Sequence, residues 1–269
     1  MLRSAIDDVI DQLVSAGYDL PASLKRRDRR EPGRLEKEQM EDRLYMLFKR
    51  RFKKQLTALR ERLEHNYPSK KDNSIPPIPI DDIINGEEDS EFVADLIRVI
   101  SSSAVGGVSL FKQSVNIGMD YTMINDRALE WAQTYSYNLI GKATGGIDAT
   151  TRNMVSNVIS RFVDTPGFTI GDAINQLSET FGETRARMIA VTEITRAYAQ
   201  GNQIAGEELK KEFPDVKVTK TWFTDGDACE ICRSLEGKEV EIEEEFDAGI
   251  YDPPAHVNCG CWTQTRTRI

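Results

Sequence analysis

The sequence is poor in the side chains that most often do chemistry. Histidine occurs twice and cysteine four times in 269 residues, so a scheme built on imidazole or thiol has few candidates. Long apolar runs are also lacking. The most apolar uncharged stretch, residues 99–111, is too short to cross a bilayer and contains Ser101, Ser102, Ser103, Gly106 and Gly107. That argues against an integral membrane protein. The first residues carry Asp7 and Asp8 where a signal peptide needs an apolar core, so secretion by that route is not expected. No phosphate-binding glycine loop is present. Residues 141–146 hold Lys142 and Thr144 but not the spacing of a P-loop. No internal repeat is visible.

What is present is a foldable, polar chain, 39% hydrophobic and 29% charged. Its length suits one large domain or two smaller ones. The net charge of −9 hides an asymmetry. Residues 1–71 carry 18 Lys/Arg against 12 Asp/Glu, whereas the remainder carries 17 against 32. The basic front suits nucleic acid or an acidic protein surface, and the acidic remainder repels nucleic acid.

Apolar periodicity predicts helices over 4–16, 35–65, 90–115, 120–140, 150–162 and 184–212, with a short helix opened by a capping box at Thr169–Asp172. Gly106 and Gly107 are expected to break or kink the third of these. In the second, Leu44, Phe48, Phe52, Leu56, Leu59 and Leu63 form an apolar stripe. Around it crowd Lys49, Arg50, Arg51, Lys53 and Lys54, five cations in six residues. Such a run is either a solvated face or a contact for nucleic acid or an acidic partner. Pro68, Pro76, Pro77 and Pro79 mark an extended connection. After Pro214 the character changes, and residues 216–223 alternate like a strand. Arg266 and Arg268 read as a polar tail.

All four cysteines lie in the last 41 residues, as Cys229-x2-Cys232, then 23 residues, then His256-x2-Cys259-x-Cys261. Two short-spaced pairs across a closable loop are the pattern of tetrahedral zinc. Five donors compete for four positions. A site of Cys229, Cys232, His256 and either Cys259 or Cys261 works, and so does a site of four thiolates. Disulfides and idle thiols are the alternatives. A closed, thiolate-rich shell points to one structural zinc per chain and away from catalysis. A nuclease using His256 as base beside Asp252 or Asp225 is the enzymatic alternative. The acidic run 225–252, with 11 acids against Arg233 and Lys238, disfavours it. Trp222, Phe223 and Trp262 are expected to fill a small core around the metal.

Several segments carry a family resemblance. Residues 185–193 (RARMIAVTE), with Asn202 and Ala205 beyond, Lys220-Thr221-Trp222, Asp227–Cys232, Leu235-Glu236-Gly237 and residues 253–261 (PPAHVNCGC) follow one another in order. Together they resemble the tailed-phage head morphogenesis family, the minor head proteins typified by protein F of phage Mu. Val257 and Gly260 stand where that family usually has proline and arginine. The resemblance covers roughly residues 120–265. It implies a structural virion protein inside the capsid, in the host cytoplasm during assembly. The implied partners are the portal, scaffold or major capsid protein, with packaged double-stranded DNA as a further contact and no membrane. The implied role is assisting head assembly, DNA packaging or DNA exit. Arg185, Thr192, Glu193 and Arg196 are then motif-helix residues. Thr192 and Glu193 could make a partner contact or an anchoring hydrogen bond into the metal lobe. The alternative for Glu193 is an exposed pair with Arg196.

The expectation is therefore a mainly α fold, a helical body with a small C-terminal α+β lobe stapled by a metal. Its regions are a loosely attached basic helical segment (1–82), a helical body (83–213) and a Cys/His lobe (214–269). No catalysis is expected. The alternative is a metal-stapled nuclease or a DNA-binding module.

Overall fold

The computed structural model describes residues 31–66, 80, 84, 90–115, 117–140, 146–165, 167–226 and 228–268. The expected helix over 4–16, the charged linker up to residue 30, the proline-rich connection 67–79 and the turn at 141–145 lie outside them. The order of elements is α1 (Arg34–Asn66), α2 (Ser90–Ser114), α3 (Tyr121–Ile140), α4 (Ile147–Asp164), α5 (Ile170–Thr180), α6 (Glu183–Glu212), β1 (Lys217–Phe223), α7 (Glu230–Leu235), β2 (Glu239–Glu241) and β3 (Trp262–Arg268). The fold is mainly helical, with a three-stranded antiparallel sheet of order β2-β1-β3 near the C-terminus.

Helix α6 is the spine. Its buried residues are mostly small: Ala186, Ala190, Ala197, Gly201, Ala205 and Gly206. Small side chains let neighbouring backbones come close. A Cβ on Gly201 would sit 1.9 Å from the Ala104 carbonyl oxygen, and one on Gly107 would sit 2.1 Å from that of Tyr198. Gly106 and Gly107 therefore do not break α2, which runs unbroken through them. They are the contact surface of a helix crossing. By length and composition α2 could cross a membrane, because the helix extends nine residues before the stretch judged too short. Its stripe of Phe92, Leu96, Ile100, Ala104, Val108 and Phe111 is buried within the fold instead.

Helix α1 is not a loosely attached arm. Leu44, Phe48, Phe52, Leu59 and Leu63 belong to the same core cluster as α2 and α6. Phe48 packs edge-on against Phe92 of α2 at 5.4 Å, and Phe52 against Phe181 at 5.8 Å. Each such side chain removed from water stabilises the fold by roughly 1.5–3 kcal/mol, which ties α1 to the body. Helix α5 opens with the expected capping box. Thr169 Oγ1 accepts the Asp172 N–H, and the Asp172 carboxylate accepts the Thr169 N–H at 2.8 Å. Leu129 and Met154 are exposed, because α3 and α4 bury Ile124, Ala128 and Ala132, and Val155 and Val158, instead.

The C-terminal tail is a strand. β3 pairs along its whole length with β1, from Lys217↔Arg268 to Phe223↔Trp262. Threonine at every second position, residues 263, 265 and 267, suits a pleated surface.

The helix crossing yields a prediction. Gly107→Ala should cost roughly 3 kcal/mol in urea unfolding, since the backbones must part. Gly118→Ala, which meets nothing within 4 Å, should be neutral. An unchanged midpoint for Gly107→Ala would contradict the close crossing.

Candidate metal centre

Two tight turns present the donors. After β1 the Ala228 N–H meets the Asp225 carbonyl. Cys229 is then the N-cap of α7 and Cys232 its third residue, a spacing that puts both sulfurs on one side. The second turn is closed by the Cys259 N–H on the His256 carbonyl, with Asn258 at φ 63°. Asparagine tolerates that left-handed conformation better than most residues.

The turns meet sulfur to nitrogen. His256 Nε2 lies 3.1 Å from Cys229 Sγ and 3.2 Å from Cys232 Sγ. Nδ1 is 2.9 Å from the Val257 carbonyl. Donation there assigns the proton to Nδ1 and leaves the Nε2 lone pair facing the thiols. Cys232 Sγ is 3.7 Å from Cys259 Sγ. Zinc–thiolate bonds of about 2.3 Å at tetrahedral angles would separate two sulfurs by about 3.7 Å. Cys229, Cys232 and His256 form one close triple, and Cys232, Cys259 and Cys261 another. Cys232 is the shared vertex. These residues could hold a metal ion.

Electrostatics favours a cation there. A hydrogen bond from Cys261 pulls the Cys259 thiol down to about 5. Burial, followed by the charge on Cys259, pushes Cys232 up to about 12. The hydrogen bond with Cys259, followed by burial, pushes Cys261 up as well. One thiolate thus suppresses its neighbours, and a full set of thiolates needs a positive charge among them. Trp222, Leu235 and Phe246 form a small core with Cys232, Cys259 and Cys261; of the three aromatic residues expected there only Trp222 takes part, while Phe223 and Trp262 stack on each other at 4.3 Å across the β1–β3 pair. Gly260, which replaces the family's usual arginine, sits against Asp225. A Cβ there would be 2.5 Å from Oδ2.

The lobe is riveted to α6 by polar bonds. Thr192 Oγ1 accepts the Asn258 N–H at 2.8 Å and donates to the Met188 carbonyl at 2.7 Å. One turn of the metal centre is thereby fixed to the motif helix. Thr265 donates to Asn202 Oδ1 at 3.1 Å. Gln203 donates to the Ile242 carbonyl at 2.7 Å. Lys220, 1% exposed, donates to the Tyr251 carbonyl at 2.9 Å and faces Asp252 at 3.4 Å. Burial pushes the Asp252 carboxyl up to about 7, against the pull of Lys220. Gln203, Lys220 and Asn258 had no role assigned from the sequence. The visible signal was a lysine inside the alternating strand 216–223.

The remaining motif residues lie elsewhere. Arg185 stacks over Phe52 at 4.9 Å and donates to Thr151 Oγ1 at 2.9 Å and to the Thr180 carbonyl. Glu193 pairs with Arg196 at 3.4 Å as spaced, but it is buried, unlike the exposed pair that was one of its two readings, and it accepts the Tyr135 hydroxyl. Neither reaches the metal cluster. The basic run is not one cationic face. Lys49 pairs with Glu183 at 2.6 Å. Arg51 pairs with Asp148 at 2.7 Å and stacks over Phe92. Arg50 donates to the Met46 carbonyl, and Arg50, Lys53 and Lys54 are exposed.

Residues 159–264 match the family model described as Phage Mu protein F like protein. The C-terminal segment carries the signature of the Mu F-like family. This is the family that the motifs resembled, and it suggests a phage head morphogenesis protein placed in the virion. No curated protein and no solved structure matches the chain. The matched segment contains the whole of α6, all five metal donors and the first three residues of β3, so the Mu F-like signature takes in both the motif helix and the donor turns.

Two predictions follow from the rivets. Thr192→Val keeps the side-chain shape but orphans the Asn258 N–H. It should cost about 1–2 kcal/mol and speed amide exchange at Asn258. Unchanged exchange there would contradict the anchoring role. The second concerns pH. Folded Asp252 keeps its proton up to about 7, whereas an unfolded aspartate releases it near 3.9. Its stabilising contribution is fully present below the lower value and is lost as pH rises through about 7. Asp252→Asn should flatten that part of the stability–pH curve between 4 and 7.

Proposed function

We propose that this protein is a minor head component that acts by assembly, without catalysis. It associates with the portal inside the procapsid and assists head assembly, DNA packaging or DNA exit. One structural zinc per chain, held by Cys229, Cys232, His256 and one of Cys259 and Cys261, fixes the C-terminal lobe. When bound, zinc supplies the charge that lets the crowded thiols ionise together. The observation that carries the reading is the joint use of the family motif. Thr192 of the motif helix holds the very turn that presents His256 and Cys259. Such an arrangement favours a rigid, defined surface. His256 directs Nε2 at two sulfurs, which supports a ligand role over the general base of a nuclease. A DNA-binding module has less support, because Lys49 and Arg51 are engaged by Glu183 and Asp148.

The test combines metal analysis with head isolation. The purified, untagged protein should contain about one zinc per chain, with thiols protected until a chelator is added. Cys232→Ser, which removes the shared vertex, should abolish binding, lower the melting temperature and reduce recovery of the protein in heads. A wild-type protein without metal, carrying four reactive thiols, would sink the zinc assignment. Absence of the wild-type protein from heads would sink the assembly role.

A further inference from the structure

Five donors compete for the four positions of a tetrahedral metal, and the surroundings of each sulfur separate them. Cys229 and Cys232 come from the start of α7, and His256 and Cys259 from the second turn. His256 Nε2 lies 3.1 and 3.2 Å from the first two sulfurs, so the imidazole belongs to the set with them. The fourth position falls to Cys259 or to Cys261.

Cys259 is presented in the way that Cys229 is. The backbone N–H groups of Ile231 and Cys232 face the Cys229 sulfur, and those of Ala255 and Cys261 face the Cys259 sulfur. Main-chain donors close by in sequence thus hold each sulfur, which favours an anionic ligand. The Cys259 N–H also closes its turn on the His256 carbonyl, so the imidazole and this thiol are delivered together. Cys259 Sγ is 3.7 Å from Cys232 Sγ, about the separation of two thiolates on one zinc.

Cys261 belongs to the sheet instead. It directly precedes Trp262, the first residue of β3, and its sulfur faces the N–H of Asp225, just beyond β1. Strand alternation puts its side chain on the face of Thr263 and Thr265, whose hydroxyls meet Asn202 of α6. Of the five donors it alone lines a cavity of about 230 Å³ between β3 and helices α2 and α6. It is buried there, and its thiol donates to Cys259.

We propose that Cys259 is the fourth zinc ligand and that Cys261 is a positioning residue, a thiol that stays outside the shell and holds the Cys259 sulfur from the side of the cavity. The assignment rests on the structural zinc proposed above. Three thiolates around a divalent cation leave one negative charge, and a buried S–H aimed at one sulfur offsets part of it.

Zinc competition with a chromophoric chelator tests this on the full chain, with cobalt(II) in place of zinc to follow the thiolates. Zinc-edge X-ray absorption of the unaltered protein should show three sulfurs and one nitrogen. Cys259→Ser should weaken zinc binding by roughly a hundredfold or more. Cys261→Ser keeps an O–H donor and should bind zinc within about threefold of the unaltered protein, whereas Cys261→Ala lacks the donor and should bind roughly tenfold more weakly. A residue that only filled the core would tolerate alanine better than serine. Both Cys261 variants should keep the full sulfur-to-cobalt absorption band. If the Cys261 variants do not fold, the zinc affinity of Cys259→Ser decides; if Cys259→Ser does not fold, the cobalt band of the Cys261 variants decides. A shell of four sulfurs, a weakened cobalt band in the Cys261 variants, or unweakened zinc binding by Cys259→Ser overturns the ligand assignment. Equal affinities of Cys261→Ala and the unaltered chain overturn the positioning role. Absence of metal from the unaltered protein would instead overturn the zinc site itself.

Discussion

The carbonyl oxygens of Ala104 and Tyr198 occupy the space where side chains on Gly201 and Gly107 would begin. This backbone-to-backbone approach of α2 and α6 fixes how deep α6 lies in the body. With that depth set, α1 and α3 can close over the remaining apolar surface, and Phe48 and Phe52 find aromatic partners. The crossing also fixes which residues of α6 stay available to the lobe. Thr192, Asn202 and Gln203 bond to residues 258, 265 and 242, while Ala197 and Gly201 of the same helix pack into the body. A helix with large side chains could not serve both surfaces so closely.

The lobe carries its own stabilisation problem. A three-stranded sheet with one short helix buries little apolar area, and here the filler is Trp222, Leu235 and Phe246. Its turns crowd acidic donors that resist joint ionisation, since Cys259 loses its proton easily while Cys232 and Cys261 keep theirs. A divalent cation would turn this repulsion into attraction. The body contributes through bonds that are independent of the metal: Thr192 on the second turn, and Gln203 on the Ile242 carbonyl and the Lys220 ammonium. The lobe is therefore braced from both sides.

Much of this was legible in the sequence, and the reasons for the rest are physical. Helix existence followed from apolar periodicity, and the donor set from its spacing, because both are local patterns. The attachment of α1 was missed because a dense run of cations looks solvated. Burial of its apolar stripe and pairing of Lys49 and Arg51 with Glu183 and Asp148 depend on elements about 100 residues away. Gly106 and Gly107 looked like helix breakers because a helix crossing leaves no mark in a local window. β3 was missed because arginines at 266 and 268 resemble a polar tail, although threonine alternated through it. Lys220 was visible as a lysine in a strand, but its partners come from two other segments, Gln203 on α6 and the adjacent Tyr251 and Asp252.

The motif residues sort by the surfaces they join. Arg185 ties α6 to α4, α5 and α1, through Thr151, Thr180 and Phe52. Glu193 ties α6 to α3 through Tyr135. Thr192 and Asn202 tie it to the lobe. A catalytic constellation would converge on one point, with a nucleophile, a base and an orienting group in reach of each other. These residues instead radiate from one helix toward each of its neighbours. That divergence fits a motif that fixes the relative placement of parts.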